Sequence, residues 1–140
     1  MAIILTIDTA GEQAGICLSL GEHHIQSVNP LQKDHAAWLQ PAIRELFEAS
    51  STELSSLDAI AVTAGPGSYT GLRVALSSAK GLCYALGKPL ITMSSLLVMA
   101  KTAVKQLEKP MLLCPMIDAR RMEVFTALFD ENGQQLQEAF

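Results

Sequence analysis

A stretch of glycines and hydroxyls, Ala64-Gly65-Pro66-Gly67-Ser68-Tyr69-Thr70-Gly71-Leu72-Arg73, separates an apolar run at 57–62 from a strongly periodic helix pattern. Glycine lets the backbone reach positive φ or approach a neighbour closely. Ser68 or Thr70 can cap the helix, whose free N–H groups and dipole favour an anion. Phosphate binding is therefore the chemistry such a loop could do. Its spacing excludes the two commonest phosphate loops. A Walker loop has four residues between its glycines and then Lys-Ser/Thr, whereas five separate Gly65 from Gly71 and no lysine follows. The dinucleotide fingerprint has two residues before its last glycine, and here there are three. Nor is Ser68 a hydrolase nucleophile: the elbow requires Gly-x-Ser-x-Gly, and Pro66-Gly67-Ser68-Tyr69-Thr70 does not supply it. Three readings stay open, namely a tight turn that packs the helix against a sheet, an anion site, and a protein contact surface. In the first, Gly67 supplies positive φ and Gly71 close approach.

Asp8 and Asp118 are the other candidates for chemistry, each at the end of an apolar strand pattern, 2–8 and 111–117. Carboxylates so placed can serve a metal or a nucleophile. They can equally hold a turn by side-chain hydrogen bonds. The histidines offer less. His23 and His24 are adjacent in a strand pattern and point to opposite faces, and His35 stands alone at a helix start.

The 140 residues are 49% hydrophobic and 17% charged, ample for a core and against disorder. A net charge of −4 argues against autonomous binding of tRNA or DNA, where phosphate neutralisation dominates affinity. The charge is uneven: residues 1–70 hold eight acids and two bases, residues 71–140 six acids and eight bases. Cys17, Cys83 and Cys114 all sit in apolar runs, the pattern of reduced, buried thiols in a cytosolic protein. No apolar stretch approaches a membrane span, and the N-terminus reads as a strand without the basic start of a signal peptide.

The elements that position these residues are strands at 2–8, 14–20 and about 23–28, joined by short turns as an antiparallel meander. Asp34 is placed to cap a helix at about 35–49, whose Leu39, Ile43, Leu46 and Phe47 form one buried face and whose Pro41 should bend it. A strand at 57–63 precedes the glycine loop. The next helix, 72–86, carries the stripe Leu72, Ala75, Leu76, Ala79, Leu82, Cys83 and Leu86. Its other side, Arg73, Val74, Ser77, Gly81 and Tyr84, is too small and too sparsely charged for a solvated face. Two buried faces fit this helix better than one. A short strand at 89–92 leads to a helix capped by Ser94 or Ser95 and running to about 107. The pattern then restarts with strands at 111–117, at 122–129 and from 134 onward, repeating the opening meander. The order describes an α/β lobe with an antiparallel meander joined to parallel crossovers, 1–108, and the start of a second, 109–140.

A strand ending in Asp, a meander and a duplicated lobe resemble the actin-like, Hsp70-like ATPase (ribonuclease H-like) fold, here with a mixed five-stranded sheet. Within it, Ile7-Asp8-Thr9-Ala10, Lys33-Asp34-His35, the block from Gly65 to Arg73, Ile117-Asp118-Ala119-Arg120 and Glu123-Val124 resemble the bacterial TsaB (YeaZ) family along nearly the whole chain. That resemblance implies a noncatalytic subunit in forming threonylcarbamoyladenosine beside the anticodon of tRNA. It also implies a catalytic, metal-holding paralogue, TsaD, as partner, and a small ATPase, TsaE, in the assembly. Family pairing runs through helices that correspond to 35–49 and 72–86. Family members continue into a complete second lobe, whereas this sequence stops within a strand pattern, so the resemblance implies either a truncated chain or a sheet completed by another chain.

The metal site of TsaD-type proteins needs two histidines one helical turn apart, a pair that this sequence lacks. Kinases of the fold follow the first Asp with Gly and hydroxyls, whereas Thr9, Ala10, Gly11 and then Glu12 follow Asp8. A carboxylate beside a phosphate tail is unfavourable. The expectation is accordingly a scaffold in the cytoplasm with no catalytic residue, metal or cofactor of its own. Its partner surface is Arg73, Val74, Ser77, Gly81 and Tyr84; it forms a homodimer in isolation, meets tRNA only through the complex and contacts no membrane. The alternative is a nucleotide-binding or phosphotransfer module of the same fold, with ATP held near Asp8, Thr9 and Ser68.

Overall fold

The computed structural model describes residues 1–31 and 33–138 and divides into two compact units, Met1–Ala64 with Ser68–Thr92, and Gly65–Gly67 with Met93–Phe140.

The first unit is built on a mixed sheet. β1 (Ile3–Asp8), β2 (Gly15–Leu20) and β3 (His23–Val28) form the antiparallel meander, and β4 (Ala59–Thr63) pairs parallel to β1. With β5 (Leu90–Met93) the order is β3-β2-β1-β4-β5, the five-stranded ribonuclease H-like arrangement expected of an actin-like ATPase lobe. Every residue of β4 is buried, the continuous burial of a strand enclosed on both sides and both faces. The core is closed by two helices. α1 (His35–Ser50) contributes Leu39, Ile43, Leu46 and Phe47, and α2 (Tyr69–Leu86) contributes Ala75 and Ala79, against Leu5, Ile7, Ile16, Leu18, Ile60 and Val62 of the sheet.

Local details differ from the sequence reading. α2 begins at Tyr69, not at 72, because Ser68 caps it and recruits the next residues into the first turn. Asp34 occupies the N-cap position of α1 but with φ 56° and no capping bond from its side chain, and Ser94 likewise makes none. Residues 57 and 58 precede β4, with Leu57 buried outside the strand.

The second unit holds α3 (Ser95–Val104), β6 (Met116–Arg120), β7 (Glu123–Thr126), β8 (Leu128–Phe129) and β9 (Gln135–Gln137). Its small core is Leu96 and Ala100 of α3 with Ala127 and Phe129, joined by Leu97, Leu113 and Ile117. The compact units thus divide after Thr92 and not at 108, because the buried face of α3 packs on these later residues. The expected three-strand meander is instead two separate hairpins, β6–β7 and β8–β9. Pro115 explains much of this: it has no N–H for a ladder and its carbonyl accepts from the Thr126 hydroxyl at 2.9 Å, so the ladder with β7 starts at Met116, while Leu113 before it forms an isolated antiparallel bridge with Phe129 of β8. Asp118 consequently lies inside β6 and not at a strand end. The run 122–129 breaks between β7 and β8, and residues 139 and 140 of the last expected strand lie outside the described residues.

Candidate functional site

The glycine loop leads into a tightly bonded joint between the end of β1 and the start of α2. The Ser68 N–H donates to the Ala10 carbonyl at 2.7 Å, and the Ser68 hydroxyl accepts from the Gly71 N–H at 3.2 Å. Thr9 is fully buried and its hydroxyl donates to the Gly71 carbonyl. Asp8 closes the turn by accepting the Ala10 N–H on Oδ1 at 3.0 Å. The three nucleotide candidates, Asp8, Thr9 and Ser68, are therefore brought together, and each has a side-chain oxygen engaged with backbone.

Gly71 is the residue that makes the joint possible. A Cβ added there would run into the Thr9 carbonyl oxygen. Gly67 has no such role in positive φ; the left-handed glycine of the loop is Gly65, at φ 111°. What the joint can do chemically is hold α2 against β1 at a separation that only a glycine permits.

The opposite side of α2 is open. Arg73, Ser77, Gly81 and Tyr84 are exposed, Tyr84 to 93%, and the space where a Gly81 Cβ would stand is empty. Arg73 lies over the Tyr69 ring, 5.3 Å from its centroid, and donates from Nη1 to the Tyr69 hydroxyl at 3.1 Å. Val74, at the margin of this set, is half-buried and packs on the core. α1 continues this surface: its exposed Gln40 donates to the Ser78 hydroxyl of α2 at 3.2 Å.

Two grooves follow the seam between these helices. One, of about 450 Å³, is lined by Ala36, Tyr69, Thr70, Arg73, Val74 and Ser77 among others. The other, of about 510 Å³, runs between Gln40, Ile43, Phe47 and Leu82 toward Leu54. Tyr69, Gln40 and the second groove escaped the sequence reading. The i, i+4 spacing of Tyr69 and Arg73 was the available signal for the first of them.

The remaining candidates are dispersed. His24 Nδ1 shares a hydrogen bond with the Ser19 hydroxyl at 3.1 Å, and His35 Nδ1 lies 3.0 Å from the buried Asn29 Nδ2. Asp118 accepts the Arg120 N–H on Oδ1 at 2.7 Å, the turn-holding role open to it from sequence. Among the described residues no group of three His, Cys, Asp or Glu side chains is placed to hold a metal ion. Cys17 and Cys83 are half-buried, and desolvation pushes the Cys83 thiol above its ordinary pKa. Cys114 is exposed, against expectation, on the outward side of an alternation that runs from Leu113 to Arg120. Among the described residues no helix is long and apolar enough to cross a membrane.

Comparison with known proteins agrees with this architecture. A family model described as "TsaD: tRNA N6-adenosine threonylcarbamoyltransferase" matches residues 27–140. The chain is 35% identical over 132 residues to a tRNA threonylcarbamoyladenosine biosynthesis protein TsaB of Bacillus subtilis, covering 93% of this chain and 56% of the relative. It is 33% identical over 132 residues to TsaB of Escherichia coli, covering 93% and 57%. The structure of YeaZ from Pseudomonas aeruginosa superposes with a TM-score of 0.90 at 29% identity, over 100% of this chain and 66% of that one. The chain thus spans a little over half the length of the TsaB relatives it matches. Matched over most of its length by the family model, and similar in sequence and fold to TsaB (YeaZ) proteins, the chain belongs to the TsaD family.

Proposed function

We propose that this chain is a scaffold subunit, without chemistry of its own, of the cytoplasmic assembly that forms N6-threonylcarbamoyladenosine in tRNA. It pairs with a catalytic TsaD-type subunit, with a TsaE-type ATPase joining them and tRNA reached only through the complex. The observation that carries this reading is the outward face of α2, with Tyr84 and Tyr69 exposed to 93% and 73% beside Ser77 and the open Gly81. Large aromatics and an arginine around small, uncharged residues are the composition of an interface core, where Tyr and Arg anchors dominate the energy. The seam between α1 and α2 supplies grooves for a partner's side chains. The engaged Asp8, Thr9 and Ser68 support a structural role for the joint beneath it. Without its partner the same face serves a second copy, so the isolated chain forms a homodimer.

Ser77→Arg tests the reading. Ser77 is exposed, so the new side chain leaves the core alone, whereas Val74→Glu would also disturb packing. Association with the TsaD-type partner and self-association, read by calorimetry and light scattering, should both weaken by about thirtyfold or more, roughly 2 kcal/mol. Survival of both associations places the interface elsewhere. ATP hydrolysis or tRNA modification by the purified chain alone, abolished by Asp8→Ala, would refute the absence of chemistry.

A further inference from the structure

The β6–β7 hairpin ends in an arrangement that its own stability disfavours. Arg120 pairs with Glu123, leaving Arg121 and Met122 as a two-residue turn, and the ladder slips between Asp118 and Arg120. Three successive residues, Arg120, Arg121 and Met122, have φ of 67°, 55° and 66°. Positive φ at both central positions is the signature of a type I′ turn, which favours Asn-Gly. Arginine and methionine there are strained by their Cβ atoms, and residues held in such conformations cluster at functional sites. The Asp118 carboxylate holds the bend by accepting the Arg120 N–H at 2.7 Å.

The turn thereby displays two arginines. Both are exposed, Met122 between them and β7 is wholly exposed at 103%, and among the described residues neither guanidinium has a hydrogen-bond or ion-pair partner. Guanidinium matches phosphate bidentately, and its charge is fixed at any ordinary pH. A convex tip cannot enclose a small anion, but it can reach the backbone of a polyanion. The net charge of −4 makes such a contact too weak to hold RNA alone. It gains force only when a partner has already brought RNA to the chain.

We propose that Arg120 and Arg121, presented on the strained β6–β7 turn, contact the phosphodiester backbone of RNA bound to the assembled complex. This rests on the scaffold reading above, and the test separates the two. The full 140-residue chain is assembled with a TsaD-type partner, and tRNA affinity is measured by anisotropy between about 50 and 200 mM salt. Arg120→Gln with Arg121→Gln should weaken binding about tenfold and reduce the slope of log affinity against log salt by about 2, one for each phosphate contact. Arg121→Lys should keep most of that slope.

Arg121→Asn with Met122→Gly, the residues a type I′ turn prefers, should raise the melting temperature of the chain while weakening tRNA binding. Partner association without tRNA should be the same for all these variants. An unchanged affinity and salt slope overturns the proposal, as does displacement of tRNA by ATP from the native complex but not from the Gln pair. Loss of the partner with the Gln pair also overturns it, making the tip a protein contact. Failure of the native chain to associate with the partner refutes the scaffold reading and this inference with it.

Discussion

Gly71 and Gly81 lie on one helix and look alike in sequence, yet their surroundings are opposite. At Gly71 a Cβ would strike the Thr9 carbonyl; at Gly81 it would meet nothing within 4 Å. The inner face of α2, Gly71, Ala75 and Ala79, is small because the sheet is close. On the outer face Ser77 and Gly81 are small although nothing among the described residues covers them. Glycine within a helix is about 1 kcal/mol less favourable than alanine, so an uncovered glycine carries a cost that the fold of this chain does not explain. On the scaffold reading proposed above, it keeps that part of the surface open for a partner.

The sharpest way to break this comparison is Gly71→Ala. Backbone cannot yield as a flexible side chain would, so the helix must shift, and the loss should be about 3 kcal/mol in urea unfolding. A variant as stable as the native chain would show that the close approach is not required. Ser68→Ala removes only the cap and should cost about 1 kcal/mol in the same measurement. In a reconstituted modification reaction at saturating partner it should retain near-native activity. Collapse of that activity with melting temperature and partner binding unchanged would put the hydroxyl in the chemistry.

Gly81→Ala is the smallest change and runs the other way. It should stabilise the isolated chain by about 0.8 kcal/mol, as an exposed helical glycine allows. Partner association measured by calorimetry should nonetheless weaken. A gain in stability with undiminished association would mean that the outer face is small for no reason of contact.

Much of the site was legible because it depends on local periodicity. The stripe at Leu72, Ala75, Leu76 and Ala79 and the sparse opposite side are both readable at helical spacing, and the cap follows from Ser68 before a helix. Val74 lies at the margin of the two faces, half-buried against the core and lining the seam groove. The second unit was less legible. Its apolar run from 111 to 117 reads as one strand, but Pro115 and the Thr126 hydroxyl redirect the pairing. The association of α3 with Ala127 and Phe129 left no local mark, since an apolar helix face does not say which later residues will cover it.

Local pattern along the chain was enough for the order of strands and helices in the first unit and for the two characters of α2, and it offered turn-holding as one of two readings of Asp8 and Asp118. Each of these is set by neighbours within a few residues, through side-chain period or short-range hydrogen bonds. Tertiary folding brought Gly71 to face the Thr9 carbonyl while Thr9 returns its hydroxyl to Gly71, a contact across 62 positions of the chain. It also moved the left-handed glycine of the loop to Gly65, left Cys114 exposed and put positive φ on Arg120, Arg121 and Met122. At Gly71 the physical reason is long-range packing. A backbone is driven into close contact or strain by the packing of distant elements, and the identity of the strained residue gives no notice of it.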